Sequence, residues 1–190
     1  MINDENPLPA VCFIKKTKGD RFMNKVTILS TALLLFLDQI AKYLAVLHLK
    51  GQATIPIIKN VFELQYLENQ GAAFGIMQGK KTFFVIGTLI FLVIVVILYH
   101  NIPLTKRFTP IRIVAVLIVA GAIGNMIDRV VHQYVIDFFY FKLINFPIFN
   151  VADIYVVVAC ILFILLMLFY YKEEELGQIF PFMKNKKAEE

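Results

Sequence analysis

Four apolar stretches, each long enough to cross a lipid bilayer, constrain the fold of this chain more than any other feature. They cover approximately residues 26–47, 82–99, 111–127 and 151–171. Each is close to the roughly 20 residues that an α-helix needs to span about 30 Å of hydrocarbon. Helices are the default for such spans, because an open sheet would leave backbone N–H and C=O groups unpaired in lipid. The sequence therefore predicts an all-α membrane protein with four transmembrane helices.

The basic residues are unevenly distributed between the two sides of these spans. Counting Arg112 at the start of the third span, twelve Lys and Arg residues lie before the first span, between the second and third, or after the fourth, whereas six lie in the other two connections. The side with more Lys and Arg is normally cytoplasmic, so both termini are predicted to be cytoplasmic. The net charge of +5 follows from this topology, and we expect no nucleic-acid partner.

The chain divides into three parts by composition. Residues 1–22 form a polar lead without an apolar run of signal-peptide length, interpreted as a start-site extension or a cytoplasmic tail. Residues 23–171 form the four-span domain, which begins at a second methionine, Met23. Residues 172–190 are rich in Lys and Glu and are predicted to be a solvated cytoplasmic tail.

The two connections on the outer side carry different patterns. In the first, at 48–81, apolar Phe62, Leu64 and Tyr66 alternate with polar residues, which is typical of a strand. We therefore expect a small extracytoplasmic β-rich segment at the outer membrane surface. The second connection, at 128–150, is rich in aromatic residues, which favour the level of the lipid headgroups.

Three carboxylates are predicted to lie at one depth near the outer interface, because Asp128 ends the third span, Asp153 begins the fourth and Asp137 lies between them. Acidic residues next to a bilayer are costly and mark functional sites. Structural interpretations remain open for each. Asp153 suits the third position of a helix capped by Asn150. Asp137 suits a turn, and Asp128 suits a charge network with the adjacent Arg129.

Polar and small residues inside the spans indicate close helix contacts. Asp38 and Lys42 lie one turn apart in span 1, so they can pair either as a structural ion pair or as support for a nearby acidic site. In span 3, Gly121 lies one turn before Asn125, and Gly124 follows Ala120 at the same spacing. Small residues at that spacing let another helix approach closely.

Other kinds of site find little support in the sequence. The histidines in the outer connections, His48 and His132, stand singly without metal-ligand partners at usual spacings. A nucleophilic Ser or Cys would lack an accompanying base. We therefore expect neither a metal nor a cofactor.

Five phrases in this order resemble the bacterial lipoprotein signal peptidases, also called type II signal peptidases: Asp38-Gln-Ile-Ala-Lys42, Asn69-Gln-Gly-Ala-Ala-Phe74, Gly121-Ala-Ile-Gly-Asn-Met-Ile-Asp-Arg129, Val135-Ile-Asp137-Phe138 and Phe149-Asn-Val-Ala-Asp153. The resemblance covers about residues 23–171. It implies that Asp137 and Asp153 are the catalytic pair. The residues that it implies bind substrate or support the site are Asp38, Lys42, Asn69, Gly71, Gly124, Asn125, Asp128, Arg129, Asn150 and Ala152.

The resemblance also implies an activity. Such an enzyme is an intramembrane aspartic endopeptidase of the bacterial inner membrane, acting near the outer face. It removes the signal peptide from prolipoproteins just before a cysteine that already bears diacylglycerol. The expected partners are these precursors and membrane lipid, the expected state is a monomer, and no cofactor is needed. Two adjacent carboxylates would share one proton, so that one activates water while the other protonates the substrate.

Two other classes of function remain open from the residues alone. The intramembrane charges could serve as a relay in a proton-coupled transporter or channel. However, transporters usually place their sites at broken helices near the midplane of repeated halves, and neither repeats nor breaks are evident. A noncatalytic membrane chaperone or lipid-binding scaffold is the third hypothesis.

Overall fold

The computed structural model describes residues 18–71 and 79–180, with side chains from residue 24 onward. Four of its helices are long and apolar enough to cross a membrane, with mean hydropathies from 1.6 to 2.9. This confirms the predicted class. The helices are α1 (Lys18–Leu49), α2 (Lys81–Asn101), α3 (Thr109–Val131), α4 (Val151–Leu165, continued by a π-helical turn at Leu166–Tyr170) and the short α5 (Glu173–Ile179).

Helix α3 is the centre of the bundle, because it packs against α1, α2 and α4. Its small residues explain this position, since they allow the neighbouring backbones to come close. Helix α2 has no buried residue among its apolar side chains, which is the surface expected of a helix that faces lipid. The helices alternate in direction, so the α1–α2 and α3–α4 connections lie together at one end of the bundle.

A three-stranded antiparallel sheet covers that end, which we call the sheet end. Its strands are β1 (Ile55–Ile58), β2 (Phe62–Asn69) and β3 (Val135–Tyr140), in the order β1-β2-β3. The alternating segment does form strands, as predicted. The sequence did not predict that the first part of the aromatic connection pairs with β2 as a strand, with Asp137 opposite Leu67. The sheet therefore joins both connections.

The sheet packs against the end of α1 through a hydrophobic cluster. Ala45 and Leu49 of α1 contact Ile136 and Phe138, which flank Asp137 on β3. Burial of these side chains removes apolar surface from water and fixes the strand relative to the bundle. Asp137 is consequently carried by a strand held between a partner strand on one side and a helix on the other.

The opposite end of the bundle differs from the prediction of a solvated tail. Helix α5 packs against the other helices, and its Ile179 is buried with Phe108 and Tyr171. Arg107 pairs with Glu175 of α5 at 2.8 Å between Nε and Oε1, and it also donates to the backbone carbonyl of Tyr170. The tail was predicted to be solvated from its charged residues alone. That argument overlooked the apolar face of α5, a seven-residue helix.

The predicted boundaries are only partly covered by the structure. Helix α1 begins at Lys18, five residues before the predicted start of the domain at Met23. The earlier part of the lead (1–17), the end of the second motif phrase (72–74) and the end of the tail (181–190) lie outside the described residues.

Candidate active site

Strand β3 places Asp137 in the interior of the sheet end. The residue is 1% exposed. The strand is held on one side by β2 and on the other by Phe149, whose carbonyl accepts from the backbone N–H groups of Phe138 and Phe139. The backbone at Asp137 is thus fixed by its neighbours in the sheet.

Helix α4 places Asp153 through its own N-terminus. Asn150 caps the helix by accepting from the backbone N–H of Asp153 at 3.0 Å, and the Asp153 carboxylate accepts in return from the backbone N–H of Asn150 at 3.1 Å. This reciprocal capping box satisfies two N–H groups that have no partner within the helix. The predicted helix start is therefore confirmed, and it holds the carboxylate rigidly.

Asn150 also brings the two aspartates together. Its Nδ2 donates to Oδ1 of Asp137 at 2.6 Å while its Oδ1 caps α4 beneath Asp153. The side chain is fully buried. One asparagine therefore contacts both carboxyl-bearing residues, one from the sheet and one from the bundle.

Two further amides complete the hydrogen bonding of the pair. Asn69, at the end of β2, donates from Nδ2 to Oδ2 of Asp137 at 2.8 Å, and its own Oδ1 accepts from the N–H of Gly71 at 3.0 Å. Asn125 of α3 donates from Nδ2 to Oδ1 of Asp153 at 2.8 Å. All four carboxylate oxygens of the pair thus accept an N–H.

Burial makes Asp137 able to hold a proton at neutral pH. Loss of solvation raises the pKa of Asp137 to about 7, and the nearby Asp153 carboxylate acts in the same direction. The hydrogen bonds from Asn69 and Asn150 oppose this rise in pKa because they favour the ionised form. Two carboxyl groups in this arrangement can share one proton, which supplies an acid and a base in the same site.

A buried charge cluster lies directly behind the pair. The Lys42 Nζ is 2.9 Å from Oδ2 of Asp38 and 3.0 Å from Oδ2 of Asp128, and it also donates to Oδ1 of Asn125 at 2.9 Å. The predicted pairing of Asp38 with Lys42 is confirmed. The contact with Asn125 connects the cluster to Asp153.

The two acids of this cluster brace the elements that carry the pair. Oδ1 of Asp38 accepts from the N–H of Ala152 at the start of α4 at 2.8 Å. Oδ2 of Asp128 accepts from the N–H of Ile136 in β3 at 3.1 Å. A charge network of Asp128 with its neighbour in sequence, Arg129, was one of the interpretations left open. Among the described residues its ion pair is with Lys42 instead, because consecutive residues of a helix point in different directions.

The other predicted residues also line or shape this region. Arg129 donates to the carbonyl of Gly71 at 3.3 Å, and its guanidinium lies 4.9 Å from the ring centre of Phe84 on α2. A Cβ on Gly124 would lie 2.5 Å from Oδ2 of Asp38, so this glycine permits the close approach of α1 and α3. The structure thus brings all twelve predicted site residues to one place.

A cavity of about 750 Å³ opens in front of the pair. Its polar part is formed by the two aspartates with Asn69, Asn125 and Arg129. The rest is mostly apolar and runs along α2, α3, α4 and the segment between β3 and α4; it includes Thr88, Gly121, Ala122, Phe141, Ile144, Phe146, Pro147, Ile148, Phe149, Ile154, Val156, Val157 and Val158. A polar chemical centre at one end of an apolar cavity suits an amphipathic ligand.

Sequence reasoning missed one contributor to the site. Gln39 donates from Nε2 to Asp128 at 3.3 Å and to Asp38 at 3.2 Å, and so joins the buried cluster. An uncharged polar residue next to an intramembrane acid was the available signal. In the described part of the chain, no group of three or more His, Cys, Asp or Glu residues is arranged to hold a metal ion.

Comparison with known proteins identifies the family. Residues 30–169 match signal peptidase (SPase) II. The chain is 44% identical to a lipoprotein signal peptidase of Caldanaerobacter subterraneus subsp. tengcongensis, over 72% of this chain and 92% of that protein. It is also 44% identical to that of Clostridioides difficile, over 70% and 88%.

Solved structures agree with the sequence relatives. Two structures described as a bacterial membrane enzyme studied by the in meso method superpose with a TM-score of 0.66. One is 31% identical and is matched over 76% of this chain and 88% of that one, and the other is 32% identical over 77% and 95%. These matches favour the peptidase hypothesis over a transporter or a scaffold. The chain therefore belongs to the signal peptidase II family, a family of aspartic peptidases.

Proposed function

We propose that this membrane peptidase cleaves diacylglyceryl-modified prolipoproteins just before the lipidated cysteine, and that Asp137 and Asp153 are its catalytic residues. The observation that carries the assignment is the position of Asn150, which contacts both residues at the wall of the cavity. No other acidic residues of the described chain line that cavity. The remaining intramembrane acids, Asp38 and Asp128, each form an ion pair with Lys42.

The proposed reaction uses the shared proton of the pair. We assign the proton to Asp137, whose pKa burial raises to about 7, and the ionised Asp153 then takes a proton from water. The water oxygen then bonds to the scissile carbonyl carbon while Asp137 donates its proton to the developing oxyanion. As the C–N bond breaks, Asp153 gives its proton to the departing amine and Asp137 recovers its own.

The shape of the cavity supports an amphipathic precursor as the substrate. Its apolar wall, with Val156 and Val157 of α4, can accept the signal peptide or the acyl chains. Arg129, Asn69 and Asn125 lie beside the pair and can hydrogen-bond the peptide near the scissile bond. Lipid contact follows because the apolar sides of the helices are exposed, as on α2.

The proposed location is the bacterial inner membrane, with both termini cytoplasmic and the sheet end near the outer face. The excess of basic residues at the opposite end supports this orientation. We propose that the enzyme acts as a monomer, because one chain supplies both carboxylates and the amides that hold them. Light scattering of the active detergent-solubilised enzyme would test this, and activity confined to a dimer would contradict it.

Substitution of each aspartate by asparagine tests the catalytic assignment. Asp137→Asn and Asp153→Asn should each reduce cleavage of a diacylglyceryl-modified precursor peptide at least ~1,000-fold, since an amide cannot exchange the proton. Glu68→Gln is the matched control, because Glu68 is an acid of the same sheet that pairs with the half-exposed Lys50 outside the cavity. It should retain cleavage. Substantial turnover by either asparagine variant would refute the assignment.

Cysteine labelling on intact cells tests the orientation. Single cysteines at Lys59 and at Thr105, in a background without Cys12 and Cys160, would be exposed to a membrane-impermeant thiol reagent. We expect the cysteine at position 59 to be labelled on intact cells, and the cysteine at position 105 to be labelled only after the membrane is permeabilised. The reverse pattern would place the aspartates on the cytoplasmic side and would contradict the proposed site of action.

A further inference from the structure

Each of the three amides around the aspartates is oriented by a group that can only donate a hydrogen bond. The N–H of Gly71 fixes the carbonyl of Asn69, and the N–H of Asp153 fixes that of Asn150. For Asn125 this role falls to the ammonium of Lys42, which donates to Oδ1 at 2.9 Å. An asparagine whose oxygen faces an ammonium must turn its NH₂ the other way. For Asn125, that direction is toward Asp153.

On this basis we propose that Lys42 is a positioning residue for the reaction. It orients the amide of Asn125 so that the N–H of this amide faces Asp153. This keeps the shared proton of the pair toward the cavity. The proposal rests on the catalytic assignment of the two aspartates. Every carboxylate oxygen of the pair already faces an N–H, so the exchangeable proton must occupy a lone pair directed elsewhere. The cavity is the side on which the substrate can reach it.

The contacts of Lys42 go beyond those of a structural ion pair. Its side chain is 2% exposed, and its three N–H groups have three acceptors, Asp38, Asp128 and Asn125. A single carboxylate would be enough to neutralise a buried ammonium. The third bond goes to an uncharged amide that contacts Asp153, which places the lysine one residue away from the proposed chemistry.

The contribution should be partial, because Asn125 has a second donor. Nδ2 of Asn150 also reaches Oδ1 of Asn125, at 3.1 Å, although its shorter bond of 2.6 Å is to Asp137. Without Lys42 the amide would keep a weaker preference for its present orientation. We therefore expect a ~10- to 100-fold loss of kcat, the size of one hydrogen bond to a charged group, with little change in KM.

The pH profile would report the change, since a carbonyl turned toward Asp153 favours the protonated form of the pair. The acidic limb of the profile should then move up by about one pH unit. The charged groups that face Asp153 are Asp38 and Lys42 from α1, Arg129 from α3 and Asp137 from β3. Any variant of Lys42 must therefore be compared with variants that alter the neighbouring charges alone.

The test variant is the triple change Asp38→Asn, Lys42→Met, Asp128→Asn, which leaves no unpaired buried charge. The controls are Asp38→Asn and Asp128→Asn alone, each of which keeps Lys42 paired with the remaining acid. All would be assayed with a diacylglyceryl-modified precursor peptide. Relative to each of these controls, the triple variant should show a further loss of kcat and an upward shift of the acidic limb, and equal kcat and equal acidic limbs in all three would overturn the proposal.

A double-mutant cycle with Asn125→Ala separates positioning from structure. If Lys42 acts through Asn125, the difference in kcat between the triple variant and its single-acid controls should disappear once Asn125 is alanine. Losses that multiply would overturn the proposal. They would leave the catalytic assignment intact, provided that Asp137→Asn and Asp153→Asn remain inactive. Turnover by those two variants would refute the assignment itself.

Asn125→Asp provides an independent test should the triple variant not fold. The new carboxylate can pair with Lys42, so the fold is retained, but it turns an oxygen toward Asp153 where an N–H stood. We expect at least a ~100-fold loss of kcat, because two carboxylate oxygens would then face each other. Activity within about threefold of the unaltered enzyme would mean that the amide does not have the proposed orientation.

Discussion

Gly124→Ala tests the close approach of α1 and α3 at this glycine. A Cβ at this position would lie 2.5 Å from Oδ2 of Asp38 and 3.4 Å from Cβ of Ala152. Asp38 has no room to give way, since it is fully buried. Its two oxygens are also occupied, by Lys42 at 2.9 Å and by the N–H of Ala152 at 2.8 Å. The added methyl group must therefore separate the helices or displace the carboxylate.

The size of the effect follows from these two outcomes. Overpacking a close contact costs about 1–3 kcal/mol of stability. Displacing one member of a buried ion pair costs about 3–5 kcal/mol. Replacing glycine by alanine inside a helix returns up to about 1 kcal/mol. We therefore expect Gly124→Ala to lower the free energy of unfolding by about 2–4 kcal/mol.

The assay is thermal unfolding in detergent, followed by far-ultraviolet circular dichroism. Gly87→Ala on α2 is the matched control, because a Cβ there has nothing within 4 Å. It makes the same chemical change in a transmembrane helix and should be neutral or slightly stabilising. If Gly124→Ala proved as stable as Gly87→Ala, the two helices could not approach as closely as described.

Two further predictions concern the charges of the site. If Asp38 and Lys42 formed an isolated pair, the double change Asp38→Ala, Lys42→Ala would cost less stability than Asp38→Ala alone. Because Lys42 also neutralises Asp128, we expect the double variant to be the less stable by about 1–3 kcal/mol in the same unfolding assay, and the opposite order would contradict the three-residue cluster. Asn69→Ala removes a hydrogen bond that lowers the pKa of Asp137, so this pKa should rise and the alkaline limb of the pH–kcat/KM profile should move up by about one unit; a downward or absent shift would argue against Asp137 as the proton donor.

The sequence predicts the parts of this fold that depend on local patterns. The four spans follow from length and hydropathy, because lipid imposes both. The start of α4 follows from Asn150 and Asp153, since a capping box requires only residues three positions apart. The pair of Asp38 and Lys42 follows from helical periodicity in the same way.

The parts that escaped prediction depend on contacts between distant segments. The aromatic run of β3 suits a membrane interface as well as a strand, and only its pairing with β2 decides between the two. Lys42 has an obvious partner one turn away, but its contacts with Asn125 and Asp128 depend on how α1 packs on α3. The tail that contains α5 was predicted to be solvated because its charges are visible in the sequence. The cluster that buries Ile179 forms only when distant segments of the chain pack together.

The two aspartates are held by residues from distant parts of the chain, and this has a consequence for biosynthesis of the enzyme. Asp137 is held by Asn69, which precedes it by 68 positions, and Asp153 is held by a residue of α3. During synthesis, the edge of β2 that pairs with β3 therefore stays unpaired until α3 has entered the membrane and β3 has followed it. Chains that stop before α4 lack one carboxylate altogether. On the proposed catalytic assignment, proteolytic activity therefore arises only at the end of insertion, and incomplete chains cannot cleave their neighbours.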